Sequence, residues 1–192
     1  AVLSPSGNQL LYITNEPGKS PSSSLVLYDL KTKTQEVLAN SVSDPQWSPD
    51  AQKIAFRTSV DGKSGIYWIS LGNRIPKLVA QVHTSNHFLG HSANKNYAWS
   101  PDGKSIAFVS ADLNSAPNID PYAPRVIDRL LYKSRTSFSD NKLTKIYLAN
   151  IENGNIKVLT DDAFDSHSLT WSPDSKKIAY ISNHTDDPDG NY

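Results

Sequence analysis

Three histidines recur at intervals of four residues, at His83, His87 and His91. In a helix this spacing would place the three imidazoles on one face, and imidazole is a common ligand of zinc and other divalent metals. Gly90 and the nearby serine and asparagine residues disfavour a stable helix in this stretch. The histidines are therefore weak candidates for a metal site, and the alternative is a polar loop without a metal or other cofactor.

A second group of residues mixes cations with aromatic rings over a short stretch of chain. Its candidate contact residues are Tyr122, Arg125, Asp128, Arg129 and Tyr132. A guanidinium group pairs well with a carboxylate or a backbone carbonyl, so one interpretation is a loop that contacts a substrate or a neighbouring domain. The other is a solvated loop in which Asp128 pairs with Arg125 or Arg129, a contact that stabilises little.

The elements that must position these residues are given by an internal repeat. A short phrase recurs four times, and each copy precedes an apolar run. The copies are Leu3-Ser4-Pro5-Ser6-Gly7, Trp47-Ser48-Pro49-Asp50-Ala51, Trp99-Ser100-Pro101-Asp102-Gly103 and Trp171-Ser172-Pro173-Asp174-Ser175. Repetition of a whole unit is typical of blades or solenoid units rather than of a single sheet.

The chemistry of the repeat predicts a hairpin at each copy. Proline presets the second position of a type I turn, and aspartate and glycine suit the third and fourth. Two further strands follow in most units, which predicts four-stranded antiparallel blades of an all-β propeller. A β-sandwich is the alternative. We predict three blades and the first half of a fourth, in an incomplete ring: 1–40, 41–82, 83–164 and 165–192.

The third predicted blade carries a long insertion, 111–144, between its second and third strands. Antiparallel order places this link on the same rim as the links from each fourth strand to the next blade. Long loops on a rigid scaffold often carry function. The insertion contains the candidate contact residues, and the three histidines lie in the link into the same blade.

The phrase Trp47-Ser48-Pro49-Asp50 with its run Lys53-Ile54-Ala55-Phe56 resembles the propeller repeats of TolB-like proteins and of prolyl-oligopeptidase-family serine peptidases. Segments 124–133 and 178–191 are similar to the N-terminal propeller of the acylaminoacyl-peptidase and dipeptidyl-peptidase branches of that family. The resemblance implies a segment without a catalytic triad, which caps the active site of a C-terminal α/β-hydrolase domain and filters peptide substrates. That domain and the peptide are the expected partners.

Two departures from the family pattern bear on this expectation. The chain contains no G-x-S-x-G nucleophile motif, so the hydrolase itself would lie elsewhere in a parent chain. Its glutamates are Glu16, Glu36 and Glu152, widely separated, whereas dipeptidyl peptidases that anchor a free N-terminus use paired glutamates. An oligopeptidase or acylaminoacyl-peptidase parent is favoured. The alternatives are a TolB-like interaction scaffold and a metal-dependent propeller enzyme that uses the three histidines.

Composition excludes several other classes. The 192 residues include 19 basic and 19 acidic residues, so neither nucleic acid nor an anionic membrane is an expected partner. Apolar stretches are too short to cross a bilayer, and the absence of cysteine excludes disulfides and zinc–thiolate sites. The chain opens at Ala1 and has no methionine, so we expect a soluble piece of a longer cytoplasmic or periplasmic protein.

Overall fold

The computed structural model describes residues 1–15, 23–85, 96–113, 124, 133–134, 137–138, 140 and 142–186. All regular secondary structure in these residues is β-strand, in three four-stranded and two two-stranded sheets. This arrangement confirms the predicted all-β, incomplete β-propeller with four-stranded blades. Within the same residues, no helix has the length and apolar character needed to span a membrane.

The first two sheets are simple meanders, in which the order in space equals the order in the chain. All of their strand pairs are antiparallel, as short turns between neighbouring strands require. The first sheet contains β1 (Val2–Leu3), β2 (Gln9–Asn15), β3 (Ser23–Asp29) and β4 (Gln35–Asn40). The second contains β5 (Ser43–Trp47), β6 (Lys53–Val60), β7 (Lys63–Ser70) and β8 (Lys77–Gln81).

The third sheet is interrupted along the chain by a small separate ladder. In spatial order it contains β14 (Ile156–Val158), β13 (Thr144–Asn150), β10 (Ser105–Ala111) and β9 (Tyr97–Trp99). The ladder pairs β11 (Lys133–Ser134) with β12 (Ser137–Phe138), and a last antiparallel pair joins β15 (Ser166–Trp171) to β16 (Ile178–Ser182). The limits of the individual blades stay a prediction.

The chain divides into two compact units. One comprises Ala1–Gln81, Trp99–Ile106 and Ala149–Asn155, and the other comprises Val82–Ala98, Ala107–Leu148 and Ile156–Tyr192.

The core of the first unit lies between the first two sheets. Its completely buried members come from β2, β3, β6 and β7: Leu11, Leu25, Ile54, Phe56 and Ile69. Trp47 packs into the same core, and its indole N–H donates to the carbonyl of Val2, at 3.2 Å. The tryptophan of the second repeat therefore packs against, and hydrogen-bonds to, the first strand of the preceding sheet.

In the core of the second unit, a repeat tryptophan again packs against buried apolar residues. Ala107, Val109, Ile146 and Leu169 are buried together, and Trp171 packs against them. The Trp171 indole N–H donates to the carbonyl of Ala98 at 3.2 Å, in the first strand of the preceding sheet. Trp99, which belongs to the first unit, is also buried, although its indole nitrogen has no hydrogen-bond partner among the described residues. Trp47 and Trp171 therefore both serve as packing residues in the cores of their units.

Each repeat closes its hairpin through a serine, which is buried in the first three copies and half-buried at Ser172. We call this arrangement the serine–aspartate turn and define it at Ser100. Ser100 Oγ accepts the backbone N–H of Ser105 at 3.0 Å, and lies 2.6 Å from Asp102 Oδ1 and 3.1 Å from the Ser105 carbonyl oxygen. A hydroxyl has one proton to donate, and the nearer, charged carboxylate attracts it more strongly. Asp102 also accepts the N–H of Lys104, at 3.0 Å.

The serine–aspartate turn recurs in two of the other repeats. Ser48 and Asp50 reproduce it in the second sheet, and Ser172 and Asp174 reproduce it between β15 and β16. In the first repeat Ser6 stands in place of the aspartate, and its hydroxyl lies 3.1 Å from that of Ser4. The geometry of the hairpin therefore depends on the serine, which all four copies share, rather than on the aspartate.

The last residue of the phrase, which is the fourth of the turn, has a left-handed backbone conformation. Its φ is +69° at Gly103, +57° at Ala51 and +60° at Ser175. The Gly103 N–H donates to the carbonyl of Ser100 at 2.8 Å, which confirms the predicted tight turn. Glycine adopts this conformation without strain, whereas alanine and serine carry a cost there.

We expect Ser100→Ala to lower the free energy of unfolding by about 2 kcal/mol, because it leaves the partly buried N–H of Ser105 without an acceptor. Chemical denaturation at pH 7 measures this change. Ser64→Ala, at an exposed position of β7, is the matched control and should change stability by less than about 0.5 kcal/mol. Equal stability of the two variants would contradict the structural role of the serine hydroxyl.

The serine–aspartate turn also predicts a dependence on pH. The hydrogen bond from Ser100, followed by that from the Lys104 amide, lowers the pKa of Asp102 below its ordinary value of 3.8. The charged form therefore stabilises the folded chain above about pH 3.8, and this contribution is lost as the pH falls through the lowered pKa. Asp102→Asn should lose less stability than the parent chain between pH 7 and about pH 3, measured by urea unfolding. An unchanged pH dependence would refute this linkage, and Asp61→Asn, in an exposed turn, is the control.

Candidate functional site

One edge of the third sheet collects charged and hydrogen-bonding side chains from several links. Antiparallel order places the end of β10, the start of β13 and the end of β14 at this edge. Four residues of the second unit lie at this edge, and we call them the rim cluster: Asp112, Lys145, Tyr147 and Asp161. Asp112 follows β10, Lys145 and Tyr147 belong to β13, and Asp161 follows β14.

Lys145 joins two of these segments through its ammonium group. Nζ forms a close ion pair with the Asp161 carboxylate and lies 3.6 Å from Asp112 Oδ2. The side chain of Lys145 is only 16% exposed. The hydrogen bond to Asp161, opposed by burial and helped by the charges of both carboxylates, raises the pKa of Lys145 above its ordinary value. Lys145 is therefore a fixed positive charge at neutral pH.

Tyr147 holds the residue next to Asp112. Its hydroxyl oxygen accepts the backbone N–H of Leu113 at 3.2 Å, and its ring stacks on Phe108 with centroids 5.4 Å apart. Burial raises the pKa of Tyr147, which keeps the phenol neutral. Lys145 and Tyr147 thus act on consecutive residues at the start of the sequence insertion.

The link that follows β14 is fixed by three further contacts. Asp165 is buried, and its Oδ1 accepts both the backbone N–H and the hydroxyl of Thr144, at 2.8 and 3.1 Å. Asp162 Oδ2 lies 3.7 Å from His184 Nε2, and the His184 ring stacks on Phe164 with centroids 4.4 Å apart. The link is therefore tied to the start of β13 and to the segment after β16.

The link between β8 and β9 reaches the same edge through His83. The His83 backbone N–H donates to Ser110 Oγ at 2.9 Å, and its carbonyl accepts the N–H of Ala111 at 3.0 Å. His83 Nδ1 lies 3.3 Å from the carbonyl oxygen of Asp112. In its Nδ1-protonated form the imidazole donates to this carbonyl, so its observed contact is with the backbone.

Ser85 extends this connection to the far end of the insertion. Its Oγ lies 3.1 Å from Asp140 Oδ1 and 2.7 Å from the carbonyl oxygen of Lys142. Because the hydroxyl has one proton, it donates to one of these oxygens at a time. The two ends of the insertion are therefore both joined to the link between β8 and β9.

The residues predicted from sequence fall largely outside the described part of the chain. Tyr122, Arg125, Asp128, Arg129 and Tyr132 lie there, so their substrate or domain contacts stay a prediction. Of the three histidines only His83 is described, and His87 and His91 are not. Among the residues that the structure describes, no group of three or more histidine, cysteine, aspartate or glutamate side chains could hold a metal.

Sequence reasoning missed the rim cluster. Asp112, Lys145 and Asp161 are far apart along the chain, and no motif links them. The order of the strands could have indicated them. Each residue lies at or next to a strand end, and the predicted blade places these strand ends on one rim.

Comparison with known proteins establishes the family. The family model for the TolB β-propeller domain (PD40) matches residues 2–122. This match covers more than half of the chain, and the chain therefore belongs to the TolB β-propeller family.

A curated relative and two solved structures extend this result. The uncharacterized peptidase YuxL of Bacillus subtilis is 26% identical over 202 residues, which cover 96% of this chain and 29% of YuxL. The chain thus spans less than a third of the length of this relative. TolB of Acinetobacter baumannii is similar with a TM-score of 0.59 and 19% identity, over 94% of this chain and 37% of TolB. Uncomplexed Pyrococcus horikoshii acylaminoacyl peptidase is similar with a TM-score of 0.63 and 18% identity, over 93% of this chain and 27% of the peptidase.

We expect Asp165→Ala to lower the free energy of unfolding by about 2–3 kcal/mol, because the buried N–H and hydroxyl of Thr144 lose their common acceptor. Asp165→Asn keeps an acceptor oxygen at this position and should cost less. Urea denaturation of both variants measures the difference. If the two substitutions cost the same, the contact with Thr144 does not determine the stability of this link.

Proposed function

We propose that the chain is the non-catalytic propeller segment of a prolyl-oligopeptidase-family serine peptidase, in which it caps the active site and filters peptide substrates. The observation that carries this proposal is the alignment with a peptidase over 96% of this chain but only 29% of that relative. The remaining length of such a parent has room for a catalytic domain. The missing G-x-S-x-G motif fits this division of labour, since the nucleophile would lie outside the segment.

The rim of the third sheet supports the same function. Links from several strands gather at this edge, and loops held on a rigid scaffold are where binding residues concentrate. In this proposal the partners are a C-terminal α/β-hydrolase domain and the peptide substrate. Tyr122, Arg125, Asp128, Arg129 and Tyr132 supply the contacts with them.

The first test compares the isolated chain with its full-length parent. The full-length protein should hydrolyse a short chromogenic peptide, and replacing the serine of its G-x-S-x-G motif by alanine should abolish turnover. The chain of 192 residues alone should show no turnover. A full-length coding sequence without an α/β-hydrolase domain, or triad-type hydrolysis by the isolated chain, would exclude the proposal.

The second test concerns the candidate contacts in the active full-length protein. Arg129→Ala should raise KM about tenfold with little change in unfolding free energy, because a charged hydrogen bond to the peptide or the hydrolase domain is lost. Lys157→Ala, at an exposed position of β14, is the control. An unchanged KM would assign Arg129 to the solvated surface.

A second candidate function is a TolB-like propeller that serves as a protein-interaction scaffold. The match of residues 2–122 to the TolB β-propeller domain favours it. The two functions differ in the rest of the coding sequence that each requires: the scaffold needs only the remaining blades, whereas the peptidase needs a nucleophile motif. Sequencing the complete gene decides between them.

A further inference from the structure

Lys145 forms ion pairs with residues of two different segments at the rim. Its ammonium group is approached by Asp112 from the end of β10 and by Asp161 from the link after β14. The side chain is mostly covered by its surroundings, whereas Asp161 is 71% exposed. The lysine is therefore the fixed member of the group, and the two carboxylates are oriented towards it.

The arrangement acts on the backbone as well as on the side chains. Lys145 and Tyr147 are two positions apart on β13, so they lie on the same face of the strand. One contacts the side chain of Asp112, and the other accepts the backbone N–H of the next residue, Leu113, at 3.2 Å. Two adjacent residues are thus fixed at the point where the chain leaves β10.

Removing the positive charge of Lys145 would replace attraction to the two carboxylates with repulsion between them. Without Lys145, the carboxylates of Asp112 and Asp161 would be two negative charges on neighbouring segments, and like charges at short range repel. The end of β10 and the link after β14 would then lose the contact that joins them and repel each other weakly. A single exposed ion pair stabilises little, but a covered lysine shared by two carboxylates also determines geometry.

We propose that Lys145 is a positioning residue, which holds the end of β10 against the link after β14 and thereby sets the peptide lengths that this rim admits. The role in selecting peptides rests on the proposed peptidase function. The positioning of Asp112 and Leu113 rests on the described contacts alone. The two parts are therefore tested by separate measurements.

The first measurement is hydrogen exchange at the Leu113 amide in the chain itself. Lys145→Met keeps the length of the side chain without its charge and should speed exchange about tenfold, because the segment that contains Asp112 and Leu113 opens more often. Lys145→Arg restores the charge and should return the rate to within about twofold of the parent chain. Tyr147→Phe removes the hydroxyl that accepts the Leu113 N–H, and therefore gives the exchange rate of this amide without its hydrogen bond.

Lys157→Met is the matched control on β14 and should leave the Leu113 rate unchanged. If Lys145→Met also leaves this rate unchanged, Lys145 does not position the rim and the inference is wrong. This result does not depend on whether the parent protein is a peptidase.

The second measurement uses the full-length protein and a series of peptides of increasing length. Lys145→Met should raise kcat/KM for long peptides relative to short ones about threefold or more, whereas Lys145→Arg and Lys157→Met should not. An active variant with an unchanged ratio overturns the selection role. A parent protein that cleaves no peptide instead refutes the proposed function, and it does so before any variant is compared.

Discussion

A serine hydroxyl, buried in three of the four copies, closes the hairpin of every repeat, and the rest of the fold depends on that closure. At Ser100 the hydroxyl accepts a backbone N–H from the next strand and donates to the Asp102 carboxylate in the turn. One side chain therefore forms hydrogen bonds with both the turn and the strand. The proline and the left-handed fourth residue shape the same turn, and the N–H of Gly103 closes it by donating to the carbonyl of Ser100. Once the first two strands are joined, short links bring the next strands back in antiparallel order. The links then fall alternately on two edges, which is why the rim cluster can form.

Packing between successive sheets uses the residue that precedes this serine. Trp47 and Trp171 each fill the apolar space beside the preceding sheet and donate an indole N–H to its first strand. The indole and hydroxyl groups adjoin in sequence, so the same short phrase defines both the hairpin and its attachment to a neighbour. An aromatic side chain with one polar atom suits this place, because the ring is buried while its N–H still needs an acceptor.

Sequence alone was sufficient for the fold and insufficient for the site. The repeated phrase predicts hairpins and blades because turn chemistry is local: Pro101, Asp102 and Gly103 each act within a few residues. The role of Ser100 is not evident from the sequence, because both hydrogen bonds of its hydroxyl form only when the backbone folds into the turn. Lys145 was not predicted at all, since its carboxylate partners are distant in sequence and converge only after the sheet forms. His83 was selected by spacing, but its observed contact is the carbonyl of Asp112, which no periodic pattern reveals.

Hydrogen exchange at the amides of Lys53 and Ser105 tests the central claim most directly. These amides donate to the buried hydroxyls of Ser48 and Ser100. If the serine–aspartate turn closes the blades, both amides should exchange as slowly as the central amides of β6 and β10, and far more slowly than the exposed amide of Lys31, which donates to Asp29. Exchange at the rate of Lys31 would contradict the account, because the hairpins would then open without disturbing the sheets.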